Sequence, residues 1–382
     1  MGKISQLLGV KNVIVVFLLS LMFLNFRGYW YVFAMLPIMY ATVSNEIYRA
    51  YDKIFILFLL FGVWYSIFAP PLSTNEYVVF VIVYPMLYLV GKLLGATETD
   101  NSIINILFVM AMSIALIYIV SIFADVSKYG FYSETRNLEI EGRGSGAEIS
   151  ATGIYSNLIL STLFIVALFT KLKLWKRLLF ASFAILAFVA SVRVGSRSSI
   201  VITICAIAIF LLLNFRTVIQ KNLFAVSCAL VLILVSVNYV INNYEDELMV
   251  LERFQDEDVE TGGGRVELAN VIINELTQQP FGKLEHVPYA HNLWLDTARV
   301  AGIIPMFLLI IITIYFIGSI WRTYKQKMFD SDYRSIIVTI GIVLFIYMNT
   351  EPILEGAPML FAFFVVLCGI MQGANKYRVN NA

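Results

Sequence analysis

The chain has 382 residues, is 60% hydrophobic and only 14% charged, whereas a soluble domain carries about 25% charged residues. Apolar runs recur from end to end, which excludes a soluble body and places the mass of the chain in a membrane. The net charge of +1 excludes nucleic acid as a partner, since that role requires a basic domain.

Taken in order, the apolar runs predict twelve spans. The first two lie near 12–26 and 29–44, joined at Arg27-Gly28. The N-terminus has Lys3 and Lys11 but no small-residue cleavage site, and reads as a retained helix. The next two lie near 54–69 and 76–95, separated by Pro70 and Pro71, and a fifth lies near 103–124. After a polar loop at 125–150, spans six and seven (151–170, 176–192) flank the basic KLKLWKR. Spans eight and nine (198–214, 223–242) flank NFRTVIQKN. A long loop at 243–290 precedes spans near 292–320, 335–349 and 356–373. Lipid leaves no water for free backbone groups, so helices are the form expected for such runs. The strict alternation of an outer-membrane barrel is absent. The prediction is an all-α integral membrane protein, a single polytopic domain over 1–382 with about 12 transmembrane helices.

Basic residues set the orientation. With the N-terminus in the cytoplasm, the cytoplasmic loops hold 11 Lys and 6 Arg and the opposite side 8 Arg and 2 Lys, which accounts for all 27 basic residues. Both termini are then cytoplasmic and the long loop is external. Lysine suffices for topology. Arginine is the residue whose planar fork grips phosphate or carboxylate, so the external surplus points to a phosphorylated ligand, or to pairing with loop acids such as Glu134, Glu139, Glu141 and Asp256.

Three regions carry candidate chemistry. In SVRVGSRSS, Arg193 and Arg197 stand four apart, on one helical face or either side of a turn at Gly195. With Ser196, Ser198, Ser199 and a helix N-terminus they describe a diphosphate cradle. The loop at 125–150 contributes Arg143 within GRGSGAE, a glycine pattern with no preceding strand and hence no dinucleotide fold. The segment 253–305 holds both histidines, Arg253, Arg265 and Arg299. His286 and His291 are five apart, which is not the spacing of a helical zinc pair, and no metal site is expected. The three cysteines lie in apolar runs with neither ligand nor disulfide spacing. His291, where loop becomes helix, is placed to take a proton from an attacking hydroxyl; His286 reads as a loop residue. Asp296 and Arg299, at i and i+3, face an aqueous cavity or each other: a salt bridge is the first reading and substrate contact the second. Glu351 and Glu355, in NTEPILEG, also face outward, where they bind sugar, orient an arginine or cap the loop.

These residues resemble the O-antigen polymerase and O-antigen ligase superfamily (Wzy- and WaaL-like proteins). Its signature of Gly-Arg, a helix, Pro-x-Gly, His-Asn-x-x-Leu and a later Gly is matched by Gly264 and Arg265, Pro280 and Gly282, His291, Asn292 and Leu295, and Gly302. RVGSRSS resembles the family's Ser-Arg turn, and GRGSGAEISATGIYSN its Gly-rich approach to a mid-chain helix with Asn157. The chain departs from the pattern at Val300, Pro305 and Ala269. The resemblance implies a GT-C-type glycosyltransferase with a large periplasmic loop between helices 9 and 10, in the bacterial inner membrane, with its active site on the periplasmic face. It implies an undecaprenyl-diphosphate-linked oligosaccharide as donor and neither cofactor nor metal. Arg193, Arg197 and Arg265 would hold the diphosphate and His291 would act as base. Asn292 and Asp296 would orient the site, with Arg143, Arg253 and Arg299 toward substrate. Arg253 to Gly264 also fits an Arg-x10-Gly loop motif described for polymerases. The polymerase branch is favoured, with a chain-length regulator protein in the membrane as a further partner. The alternatives are a ligase transferring the polysaccharide to lipid A-core, and a polysaccharide flippase or transporter.

Overall fold

The structure is a computed structural model and describes residues 2–25, 29–43, 51–69, 73–131, 138–139, 148–215, 264–284 and 286–378. Seven helices are long and apolar enough to cross a membrane: Thr74–Thr97 (α4), Asp100–Tyr129 (α5), Ala151–Phe169 (α6), Leu174–Arg193 (α7), Ile303–Lys325 (α11), Ser331–Met348 (α12) and Pro358–Lys376 (α14). Shorter apolar helices lie within Gly2–Phe23 (α1), Trp30–Val43 (α2), Lys53–Phe68 (α3) and Arg197–Leu213 (α8). Three more helices are short: Arg265–Gln278 (α9), Leu293–Ala301 (α10) and Ile353–Gly356 (α13). Two-residue strands, Leu138–Glu139 (β1) and Glu148–Ile149 (β2), pair antiparallel. The protein is thus a helical, membrane-embedded one. The ninth expected span, 223–242, and most of the loop at 243–290 lie outside the described residues. The tenth, expected as one helix over 292–320, is two helices that break at Gly302.

The chain divides into two compact units. One comprises 1–114 and 264–382, the other 115–263.

The first unit is built on aromatic packing. Phe61 and Tyr65 of α3, Phe80 and Tyr84 of α4 and Phe361 of α14 are all buried, and the Tyr65 and Phe80 rings stack with centroids 4.3 Å apart. Lipid tails are as apolar as these side chains, so close packing rather than escape from water holds the helices together. Four glycines permit that packing. A Cβ on Gly91 or Gly95 of α4 would collide with the backbone of α14, and one on Gly369 or Gly373 with the backbone of α4. Pro85 lies in α4 and supplies no N–H, and the preceding turn, Val79–Val83, relaxes into π geometry with the Tyr84 N–H donating to the Val79 carbonyl. The buried Lys92 ammonium pairs with Asp52, the N-cap of α3, which also accepts a hydrogen bond from the Tyr88 hydroxyl at 2.9 Å. A cation this deep is costly unless paired, and here the pair ties α3 to α4.

In the second unit, α6 begins at the N-cap Ser150, whose hydroxyl accepts from the Gly153 N–H. Val194 and Gly195 form the turn between α7 and α8, with Gly195 at φ +67°. Arg193 therefore closes one helix while Arg197 opens the next, and the two do not share a continuous helical face.

Candidate functional site

Within the first unit, the residues from Gly264 to Met306 form a small structure of their own. Ile272 and Leu276 of the amphipathic helix α9 bury against Leu284, Val287, Ala290 and Ala298, with Leu295, Ile303 and Met306 at the margin. The chain leaves α9 and folds back along the end of α10. The Lys283 and Leu284 N–H groups donate to the Val300 and Arg299 carbonyls (3.1 and 3.0 Å), and the Ile303 N–H donates to the Pro280 carbonyl (2.9 Å). These bonds satisfy carbonyls that the end of a helix leaves open. The return requires two glycines face to face. Gly282 (φ +77°) and Gly302 (φ +90°) are both in the left-handed half of backbone space. A Cβ at 282 would lie 2.5 Å from the Gly302 nitrogen, and one at 302 would lie 2.6 Å from Phe281 Cα. The spacing of Pro280, Gly282 and Gly302 is thus a packing requirement of this corner.

The corner presents His291. Its backbone is left-handed (φ +55°), a conformation few residues other than glycine adopt. Asp296 holds it there. One carboxylate oxygen accepts from the Ala290 N–H (2.8 Å) and the other from the Asn292 N–H (2.9 Å), so the residues on both sides of His291 hang from a single side chain. Asn292 is the N-cap of α10, its side-chain oxygen accepting from the Trp294 and Leu295 N–H groups (3.2 and 3.1 Å). The Trp294 Nε1 donates to Thr313 Oγ1 (3.2 Å), which ties the start of α10 to α11. Asn292 and Asp296 thus position the histidine through the backbone.

Two glutamates from the break between α12 and α14 complete the array. Glu351, whose side chain is 5% exposed, lies with Oε2 3.2 Å from His291 Nδ1 and Oε1 3.6 Å from an Arg265 guanidinium nitrogen. The His291 and Arg265 side chains are 32% and 38% exposed, so one buried carboxylate faces two groups that reach water. Glu355 takes both of its 2.9 Å bonds from one Arg299 nitrogen. Arg299 also donates to the Val287 carbonyl (3.3 Å) and lies 4.5 Å over the Tyr289 ring. The expected Asp296–Arg299 pair is present only at 3.9 Å, because Asp296 is committed to the backbone and Arg299 to Glu355. Arg299 is buried, and its role in this structure is to brace the loop. Burial raises the Glu355 carboxyl above the usual range even though Arg299 lowers it, and burial likewise raises Asp296 against its backbone hydrogen bonds.

His291, Arg265, Asn292, Asp296 and Arg299 therefore fall in one array. The exposed His286 has no part in it. Arg193 and Arg197 belong to the other unit. There the Arg193 guanidinium is buried and bonded to Asp125 at 2.6 Å, the acid pairing expected as the alternative to phosphate binding. The side chain of Arg197, and Arg143 and Arg253 altogether, lie outside the described residues. Among the described residues, no three His, Cys, Asp or Glu side chains group as metal ligands. Glu351 faces an arginine, one of the roles its position in the sequence allowed, but its pairing with His291 was not among them. Its only signal was a pair of acids in a short polar break between two apolar runs, and its partners stand far away along the chain. No protein-family model matches the sequence, and no curated protein matches it.

Proposed function

We propose that the protein is a metal-independent glycosyltransferase that polymerises undecaprenyl-diphosphate-linked oligosaccharide repeat units at the periplasmic face of the bacterial inner membrane. The observation that carries this reading is the half-exposed His291 imidazole, fixed by its neighbours and set beside Arg265 over a shared buried carboxylate. That arrangement offers a proton acceptor and an anion ligand side by side. A sugar hydroxyl attacking the anomeric carbon of a lipid-linked donor requires both. The new glycosidic C–O bond forms as the bond from the anomeric carbon to the phosphate oxygen breaks. The hydroxyl proton passes to His291, and the lipid diphosphate leaves with its charge held by arginine. Arg265 is the arginine of this array. Displacement in a single step inverts the anomeric carbon. The helical architecture of the GT-C type, about twelve spans and cytoplasmic termini belong to the same proposal.

Reconstitution with a lipid-linked oligosaccharide tests it. Longer lipid-linked chains formed from the oligosaccharide alone are expected, and none from the His291→Ala variant. Product that appears only when lipid A-core is added assigns the chain to the ligases instead. In cells, His291→Ala is expected to leave unpolymerised lipid-linked units in the outer leaflet. Accumulation in the inner leaflet overturns the enzyme in favour of a flippase.

A further inference from the structure

We propose that Glu351 is a further positioning residue of this site: it fixes the proton of His291 on Nδ1 and couples that hold to the anion bound by Arg265. The proposal rests on the reading of His291 as the base. An ionised carboxylate only accepts hydrogen bonds. With Glu351 Oε2 3.2 Å from His291 Nδ1, the proton of the neutral ring belongs on Nδ1, and the lone pair is left on Nε2. A free imidazole prefers the opposite arrangement, with the proton on Nε2, and such a ring cannot accept there. Among the described residues, the other anion acting on the ring is Asp296, but both of its oxygens are occupied by the Ala290 and Asn292 N–H groups. The cation of the neighbouring pair, Arg299, is held by Glu355. Among the described residues, Glu351 therefore has two side-chain partners, His291 and Arg265.

The two contacts differ in kind. His291 is anchored through the backbone on both sides. Arg265 is the first residue of α9, is 38% exposed, and stands at the longer distance of 3.6 Å. A diphosphate arriving from solvent is a better partner for a guanidinium fork than one oxygen at that distance. Once Arg265 turns to the diphosphate, the charge of Glu351 is left to the imidazole alone. The bare Nε2 becomes a stronger acceptor when the donor is in place, and a water molecule that reaches the empty site meets a weaker base.

The chain has only two histidines, so imidazole-labelled protein in detergent gives two ring signals, and His286→Asn leaves one. Nitrogen chemical shifts at about pH 8, where an ordinary ring is neutral, report which nitrogen carries the proton. The native chain is expected to show Nδ1–H. Glu351→Ala is expected to move the proton to Nε2, whereas Glu351→Gln, whose amide oxygen still accepts, keeps it on Nδ1. Inorganic pyrophosphate is expected to shift the native Nδ1–H resonance downfield and to leave it in place in Arg265→Gln. Turnover of the lipid-linked donor is expected to fall about 100-fold in Glu351→Ala, the lower range for losing a general base, with KM unchanged and partial recovery in Glu351→Gln. A native ring protonated on Nε2 overturns the proposal whether or not any variant folds, and a native resonance that ignores pyrophosphate overturns the coupling. A ring on Nδ1 in a protein whose His291→Ala variant still polymerises leaves the role of Glu351 standing and refutes the reading of His291 as base.

Discussion

Replacing Gly302 by alanine should dismantle the corner that presents His291. The Gly302 backbone, at φ +90° and ψ −176°, lies in a region essentially restricted to glycine, where another residue costs about 1–3 kcal/mol. The added methyl would sit 2.6 Å from Phe281 Cα and from the Pro280 carbonyl oxygen, both backbone atoms that cannot rotate away. Relieving such a clash costs about 1–3 kcal/mol. Moving the strand aside also breaks the Ile303 N–H to Pro280 bond, a further loss of about 1 kcal/mol. Together these reach about 3–7 kcal/mol, or roughly 10²- to 10⁵-fold in the equilibrium for local opening. Hydrogen exchange followed by mass spectrometry on peptides spanning 280–303 measures that opening directly. The amides of Lys283, Leu284 and Ile303 should lose protection together. Gly318→Ala in α11 is the control, since a Cβ there meets nothing within 4 Å; it should be neutral or gain about 0.4–1 kcal/mol. Native protection at all three amides in Gly302→Ala would refute the reasoning, because it would mean that the corner does not depend on the approach of 302 to 281.

Two further outcomes follow from the array. Asp296→Asn leaves one acceptor oxygen for two backbone donors, so the Ala290 or the Asn292 N–H is orphaned in a buried place. A loss of about 1–3 kcal/mol is expected, read as a lower thermal midpoint and faster exchange at 290–292; an unchanged midpoint would contradict the account of how His291 is held. The second concerns pH. Glu355 and Asp296 are both raised by burial, so the folded array binds protons more tightly than the unfolded chain does. A raised carboxyl gives stability that is complete below the ordinary carboxylate range and is lost as pH rises through the folded value. Acidification from neutrality into that window should therefore tighten the segment 284–302, and Glu355→Gln should flatten the response. Opening free energies from hydrogen exchange that fall steadily on acidification, as for an ordinary ion pair, would show the sign to be wrong.

Much of the fold was legible from hydropathy, because a lipid-facing helix must be apolar along its whole length. The break at Gly302 was not, since Ala301 and Ile303 on either side continue the apolar run and only the backbone angle interrupts it. Of the site, His291 could be found because an imidazole at the edge of an apolar run has little structural use. The pairing was harder. Asp296 and Arg299 stand three apart on a helix, and local spacing favours their bridge. The structure instead gives Arg299 to Glu355 and Asp296 to the backbone. Glu355 does orient an arginine, one of the roles its position allowed. Both glutamates are carried on the break just before α14, whose glycine face seats against α4, and nothing near residue 291 encodes which cation each of them meets.

That seating has a consequence for how the protein is made. The glycine faces of α4 and α14, Gly91 and Gly95 on one and Gly369 and Gly373 on the other, stand far apart along the chain. At about 5–20 residues per second, the first waits in the membrane for on the order of tens of seconds before the second leaves the ribosome. Glu351 and Glu355 are synthesised just ahead of α14. His291 and Arg299 are therefore made before their carboxylates, and the array cannot close until the break that carries Glu351 and Glu355 has been synthesised. A nascent chain stalled before Glu351 thus carries His291 with Asp296 and Asn292 already beside it, but without the carboxylate that faces its ring.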